Sequence, residues 1–238
     1  MKQFGKKVVE ASLVRSIWFL YSRWRDTKLR DSVLDKLWYE AIDESAELAK
    51  KNLHTAVLFR RREDLWTFCI ERIPTENLIL EFGVHEGGSI NFLARLLKAK
   101  SDQRKLFGFD SFEGLEEEWY GESLGKGFFN LGGRLPKVSP AVQLIPGWIQ
   151  NTLGPFLAEH PDDKIAFIHI DTDTYTPAKL ILSTCKPRLL KGSVIVFDEL
   201  YGYPNWKNHE YKALNEVFSE SEYEFIALSN RQAAIRVK

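Results

Sequence analysis

Cysteine is scarce in this chain, with two in 238 residues, Cys69 and Cys185, and neither lies in a C-x-x-C pair. A disulfide framework is therefore excluded and a reducing compartment is indicated. Long apolar runs are missing as well. The stretch Ser16–Tyr21 (SIWFLY) is far too short to span a bilayer, and it lacks the long apolar core and small-residue cleavage site of a signal peptide. A soluble, cytoplasmic protein with no membrane span is expected. There is no excess charge of either sign, because 33 basic side chains meet 33 acidic ones. That balance excludes a general attraction to nucleic acid, which is not an expected partner. The start of the chain departs from it locally: Lys2, Lys6, Lys7, Arg15, Arg23, Arg25, Lys28 and Arg30 face only Glu10 and Asp26. Internal repeats, low-complexity tracts and H-E-x-x-H are also lacking, and G-x-x-x-x-G-K-[ST] is absent, which excludes a P-loop.

What is present divides into two parts. From Val8 to Ile73 apolar residues recur at helical spacing, as in Val33, Leu34, Leu37 and Trp38 and again in Leu65, Phe68, Cys69 and Ile73. No run in this part suits a buried strand. Pro74 closes it, since proline disfavours helix at the preceding residue. Residues 1–74 are therefore expected to form a helical cap that serves substrate binding or oligomerisation. After Pro74 short apolar runs alternate with helical stretches. Strands are expected at Asn77–Phe82, Lys105–Asp110, Val142–Ile145, Lys164–Asp171 and Ser193–Asp198, then at Tyr223–Leu228 and Ala233–Val237. Helices are expected at Ser89–Lys98, Trp148–Glu159, from about Pro177 to Leu190, and at Glu210–Ser219. This alternation predicts an α/β fold over residues 75–238, a doubly wound, mostly parallel, seven-stranded sheet whose two closing strands form an antiparallel edge. The Gly-rich stretch Gly121–Pro136 reads as a functional loop or lid.

The run LILEFGVHEGGS, residues 78–89, is a strand, a glycine turn and a helix start. Ligands bind at such turns in a doubly wound sheet. Gly83 and Gly87 would let backbone approach a ligand, and Ser89 is a candidate helix cap. The spacing is G-x-x-x-G-G, so the dinucleotide pattern G-x-G-x-x-G is not met. Glu81 would repel a pyrophosphate and attract a cationic aminoacyl head such as that of S-adenosylmethionine (SAM). The next strand ends in Asp110, where an acid can accept hydrogen bonds from both ribose hydroxyls of an adenosine ligand. Ser111 and Phe112 follow it directly. Gly147 and Trp148 end another strand near the expected adenine position, and Trp148 offers either a stacking face or a core aromatic at a helix start.

The phrases EFGVHEGGS, GFDSFEGL, PGWIQNTL, HIDTDTY and KGSVIVFDE, in that order, resemble class I SAM-dependent methyltransferases of the macrocin O-methyltransferase family. The resemblance runs from about Leu78 to Tyr211 and covers the first third poorly. It implies transfer of a methyl group to a hydroxyl of a sugar or phenolic natural product of antibiotic biosynthesis. It also implies SAM as cofactor and Mg²⁺ or another hard divalent cation beside it. The family's metal-ligating acids map onto Asp171 and the pair Asp198–Glu199. Two departures are visible. Glu199 stands where the family usually has aspartate, and Thr176-Pro177 stands where a Ser-Thr pattern often follows the tyrosine. Related enzymes often dimerise through such a helical cap, so a homo-oligomer is implied. A hydroxylase or dehydrogenase on the same fold and a non-catalytic SAM-binding protein are the alternatives.

The residues alone agree on the metal. Asp171, Asp173, Asp198 and Glu199 end two strands, and crowded carboxylates raise one another's pKa unless a cation compensates. Oxygen ligands suit Mg²⁺ or Mn²⁺ better than zinc. Asp173 is assigned instead to helix-start electrostatics. Asp171 could serve as both ligand and catalytic base. His209 is the other base candidate, because histidine titrates near working pH. His169, inside a strand, reads as a packed core residue, and His85 is given no chemistry.

Overall fold

The structure, a computed structural model, describes residues 16–21 and 32–238. The basic residues between positions 2 and 30 lie outside the described residues. The chain divides between Glu40 and Ala41 into two compact units. In the first, residues 16–21 are helical. Helix α1 (Val33–Asn52) starts on Ser32, whose hydroxyl accepts the Asp35 amide at 3.1 Å and donates to the Asp35 carboxylate at 2.8 Å. This reciprocal cap satisfies a donor that the helix itself leaves open. Among the described residues no helix is long and apolar enough to cross a membrane.

The second unit, from Ala41 on, holds strand β1 (Val57–Leu58), helix α2 (Arg62–Ile70), β2 (Leu78–Phe82), α3 (Gly88–Ala99), β3 (Leu106–Asp110), β4 (Val142–Pro146) and α4 (Ile149–Glu159). It continues through β5 (Ile165–Ile170), α5 (Tyr175–Cys185), β6 (Leu189–Phe197), α6 (Glu210–Val217), β7 (Tyr223–Leu228) and β8 (Ala233–Val237). The strands form one sheet in the order β1-β7-β8-β6-β5-β2-β3-β4. All pairs are parallel except those of β8, which runs antiparallel to both β6 and β7. The sheet thus has eight strands where seven are expected. The additional one, Val57–Leu58, pairs with Ala227 and Leu228 at the sheet edge. Its two residues are exposed and too few to show an alternating pattern.

The central strands β2 and β5 and the second half of β6, Ser193–Phe197, are buried on both faces, which is why they read as continuous apolar runs. The helix expected to reach Leu190 stops at Cys185 and tightens into a 3₁₀ turn over Lys186–Arg188, because Pro187 has no N–H to donate to the carbonyl of Ser183. Helix α2 falls in the stretch read as a cap, yet Leu65, Trp66, Cys69 and Ile70 belong to the same core as β2, α3 and β6. Both cysteines are buried and free. The chain runs outward through β2, β3 and β4, then returns to β5 on the other side of β2. The ligand crevice of such a sheet opens beyond the carboxyl ends of its strands at that reversal.

Candidate active site

A cavity of about 550 Å³ lies at this crevice. Its size suits a small ligand of nucleoside dimensions. The glycine turn lines it with Gly83, Val84, His85, Gly88 and Ser89, and the neighbouring strand ends of β5 and β6 with Asp171, Thr172, Asp173, Asp198 and Glu199. Asp110, Ser111, Trp148 and Ile149 line it from β3 and the start of α4. Leu115, Trp119, Leu124 and Phe129 close it from the long irregular segment that contains Gly121–Pro136.

Of the expected cofactor residues, Gly83, Ser89, Asp110, Ser111 and Trp148 line this cavity; Glu81, Gly87, Phe112 and Gly147 do not. Each departure has a cause. Glu81 is fully buried, and both of its oxygens are engaged: Oε1 accepts the Ser89 hydroxyl at 2.8 Å, and Oε2 lies 3.2 Å from Nδ1 of His169. It is thus a structural anion beneath the loop. Ser89 does not cap α3; the cap position is Gly87, whose φ of +82° suits glycine. Gly83 makes room for protein and not for ligand, since a Cβ there would lie 1.7 Å from the Asp171 carbonyl oxygen. Phe112 is buried and donates its amide to Asp110 Oδ1 at 2.6 Å. Gly147 donates its amide to the Asp110 carbonyl at 2.9 Å. Gly88, passed over in the sequence, borders the cavity, and its missing Cβ would meet nothing within 4 Å.

Asp110 holds the glycine turn in place. Its Oδ2 accepts the amides of Val84 at 2.8 Å and His85 at 2.7 Å. With Phe112 on Oδ1, three of the carboxylate's roughly four lone-pair sites are used. Room is left for one ribose hydroxyl where the sequence suggests two.

His169 is more than a packed core residue. In register it lies beside Glu81 on one side and Val196 on the other, and Asp198, two residues past Val196, falls on the same face. Its Nε2 lies 3.5 Å from Asp198 Oδ1. Burial alone would lower its pKa, but Asp198 and Glu81 outweigh burial and hold the imidazole at about 10. Asp198 Oδ2 in turn lies 3.6 Å from Nη1 of Arg62. The result is a row of alternating charge: Glu81, His169, Asp198, Arg62. A buried histidine in a strand carries no sequence signal that separates this role from core packing.

Beyond the row the acids outnumber the cations. Burial pushes the carboxyl of Asp171 well above the usual range, and the charges of Asp198 and Asp173 push it further. Glu199 is raised in the same way, by burial and then by Asp198 and Asp171. Glu210, fully buried at the start of α6, is raised by burial and by Asp173. Asp173 is not a helix-start acid. Helix α5 begins at Tyr175, and Asp173 sits at φ +62° with its carboxyl buried in this cluster. Burial and the Asp198 charge hold it at about 7. Ligand atoms of His169, Asp171 and Asp198, and those of Asp171, Asp173 and Glu199, lie within 4.8 Å of one another. Glu199 Oε2 and the Thr172 hydroxyl are buried without a hydrogen-bond partner, and Asp198 Oδ1 has its 3.5 Å ion pair with His169 but no hydrogen bond. Orphaned carboxylate oxygens in an acidic cluster fit a hard divalent cation. The His169 imidazolium is a poor ligand, so the oxygen set is the better fit.

His209 is excluded as a base by its surroundings. It does not line the cavity, and its Nε2 donates to the Tyr120 carbonyl at 2.7 Å. Burial lowers its pKa, so the neutral ring keeps its proton on that nitrogen and its lone pair on a buried Nδ1. Its role is to fasten the long loop. Glu117, which accepts the Thr176 amide and hydroxyl, and Glu122, which pairs with Arg231 at 3.0 Å, fasten the same loop.

With this geometry in place, the chain was compared with known proteins. Residues 80–200, about half of the chain, match the family described as a methyltransferase domain. A tetracenomycin-C derivative 4'-O-methyltransferase from Streptomyces olivaceus is 28% identical over 61% of this chain; the match spans 62% of that relative's own length. The mycinamicin III 3''-O-methyltransferase of Micromonospora griseorubida is 24% identical over 82% of this chain and 84% of its own. Among solved structures, the calicheamicin methyltransferase CalS11 superposes with a TM-score of 0.60 at 26% identity, covering 74% of this chain and 77% of that one.

Proposed function

The chain belongs to the methyltransferase-domain family, and from that premise we propose that it moves a methyl group from SAM to a hydroxyl of a small molecule, a sugar or phenolic natural product. The relatives named above are a 4'-O-methyltransferase of a rhamnosyl tetracenomycin C and a 3''-O-methyltransferase of mycinamicin III, which supports this substrate class. One observation carries the reading: buried acids at two strand ends and a glycine turn latched by an acid at a third line one cavity.

SAM, when bound, supplies an electrophilic methyl on a sulfonium. Asp110 has one acceptor site left for its ribose, Trp148 offers a face for its adenine, and Gly88 leaves open space beside the turn. A divalent cation, Mg²⁺ by the chemistry of its donors, would be held by Asp171, Asp173 and Glu199 with Asp198 alongside. It would lower the pKa of an acceptor hydroxyl. The chain's own residues do the rest. Asp173 lines the cavity beside these donors, a cation on the cluster would keep its carboxylate ionised and able to accept a proton, and we assign it the role of base in place of His209. Trp119, Leu124 and Phe129 exclude water from the space between cofactor and acceptor. Alignment of an oxygen nucleophile with the methyl then accounts for much of the rate.

The test is methyl transfer from labelled SAM to a panel of glycosides and phenols, with Mg²⁺ and with EDTA. Transfer to at least one hydroxyl compound, lost in EDTA and restored by Mg²⁺, is expected. SAM binding with no transfer to any member would sink the enzymatic reading. Full activity in EDTA would remove the cation while leaving the methyl transfer.

A further inference from the structure

Glu81 does not reach the amino-acid end of SAM, because it is fully buried and does not line the cavity. That end carries a carboxylate as well as an ammonium group, and the cavity offers a partner for the carboxylate. Arg62, the first residue of α2, lines the cavity together with Gly83, Gly88 and Ser89. Its guanidinium lies over the ring of Trp66 at 5.1 Å. Trp66 is itself buried and meets His169 edge-on at 5.3 Å. The side chain is thus held by stacking, yet remains about half exposed toward the cavity. Its ion-pair contact to Asp198 Oδ2 is 3.6 Å long. A guanidinium has five donors in a planar fork matched to a carboxylate. The other arginine of the cavity, Arg231, pairs with Glu122 at 3.0 Å and lies over Tyr203.

We infer that Arg62 is the residue that receives the carboxylate of the methionyl part of SAM. This rests on the methyltransferase reading, from which it takes the ligand. It assigns to α2, in the part of the chain least like the family, a direct share of cofactor recognition. Stacking on Trp66 pre-organises the fork, so little side-chain freedom is lost on binding. A lysine at the same position would keep the charge but lose both the fork and the stack.

The experiment compares two nucleosides by calorimetry. S-adenosylhomocysteine carries the amino-acid carboxylate, and 5'-methylthioadenosine lacks it. In Arg62→Gln the first should bind about ten- to a hundredfold more weakly than to wild type, the range of a charge-assisted hydrogen bond. The second should bind unchanged. Arg62→Lys should recover only part of the loss. Retained 5'-methylthioadenosine binding also shows that the variant is folded. Equal weakening of both nucleosides would mean that Arg62 only shapes the cavity, and unchanged binding of both would mean that it touches neither; each overturns the inference. Wild-type protein that binds neither nucleoside overturns the cofactor reading itself, and the inference with it.

Discussion

Asp173 and His209 illustrate how little residue type alone says about a proton's destination. Histidine is the side chain expected to titrate near neutral pH, yet here burial depresses it and the Tyr120 carbonyl occupies its proton. Aspartate is expected to be ionised throughout, yet burial and Asp198 hold Asp173 at about 7. Replacement separates the two. Asp173→Asn should lower kcat by roughly 10²- to 10⁴-fold, the usual contribution of a general base. His209→Gln should leave kcat within a few-fold and the pH profile unmoved, because a glutamine amide can still donate to the Tyr120 carbonyl. Steady-state kinetics between pH 5.5 and 9 would check both. A collapse of rate in His209→Gln with Asp173→Asn active would restore the histidine as base.

At the scale of elements, the glycine turn shows two glycines with opposite duties. Gly83 allows the end of β2 to approach the end of β5; any Cβ would overlap the Asp171 carbonyl at 1.7 Å, at a φ of +88°. Gly83→Ala should therefore destabilise the fold by about 3 kcal/mol or more, read as a fall in Tm, because backbone cannot yield as a side chain can. Gly88→Ala should leave Tm near that of wild type and weaken S-adenosylhomocysteine binding, since its Cβ would meet no protein atom. A stable Gly83→Ala with normal binding would contradict the packing account. The same contrast bounds what the sequence discloses. Central strands are legible because burial on both faces demands an unbroken apolar run, and Asp110, Asp171, Asp198 and Glu199 are legible because they end such runs. Asp173 is hidden because an acid just before a helix has an ordinary explanation in the helix dipole. Arg62 and Trp66 are hidden because a short helix ahead of Pro74 resembles the helical stretch preceding it, and only the three-dimensional core joins it to β6. The duties of Glu81 and His169 depend on strand order, which local periodicity does not encode.

For the whole molecule, the buried acids make stability depend on pH, and a cation at the proposed site should oppose that dependence. Asp173 binds its proton more tightly when folded, with a pKa of about 7 against an unfolded value near 4. Its stabilising contribution is therefore complete below about pH 4 and is lost as pH rises through 7. Asp171, Glu199 and Glu210 are pushed in the same direction by burial and by their neighbours' charge. His169, held at about 10, contributes fully below its ordinary value near 6.5 and loses that contribution as pH rises through 10. Asp198 is held below the ordinary range; its contribution is lost only in acid, beneath about pH 4, outside this window. His209, held below its ordinary value by burial, opposes these groups only beneath about pH 6.5, so between pH 6.5 and 9 the cation-free protein should melt at progressively lower temperature as pH rises. A change of a few kcal/mol would appear as several degrees, at roughly 2–4 °C per kcal/mol for a chain of this size. A divalent cation binds the ionised carboxylates, so it should restore most at the alkaline end, where proton competition is weakest. Scanning calorimetry in EDTA and in excess Mg²⁺ across this range should give two melting curves that diverge with pH. Asp171→Asn should narrow the gap between them. A melting temperature in EDTA that stays level or climbs with pH would show that the acids are already neutralised within the chain, and Mg²⁺ would then have no site to fill.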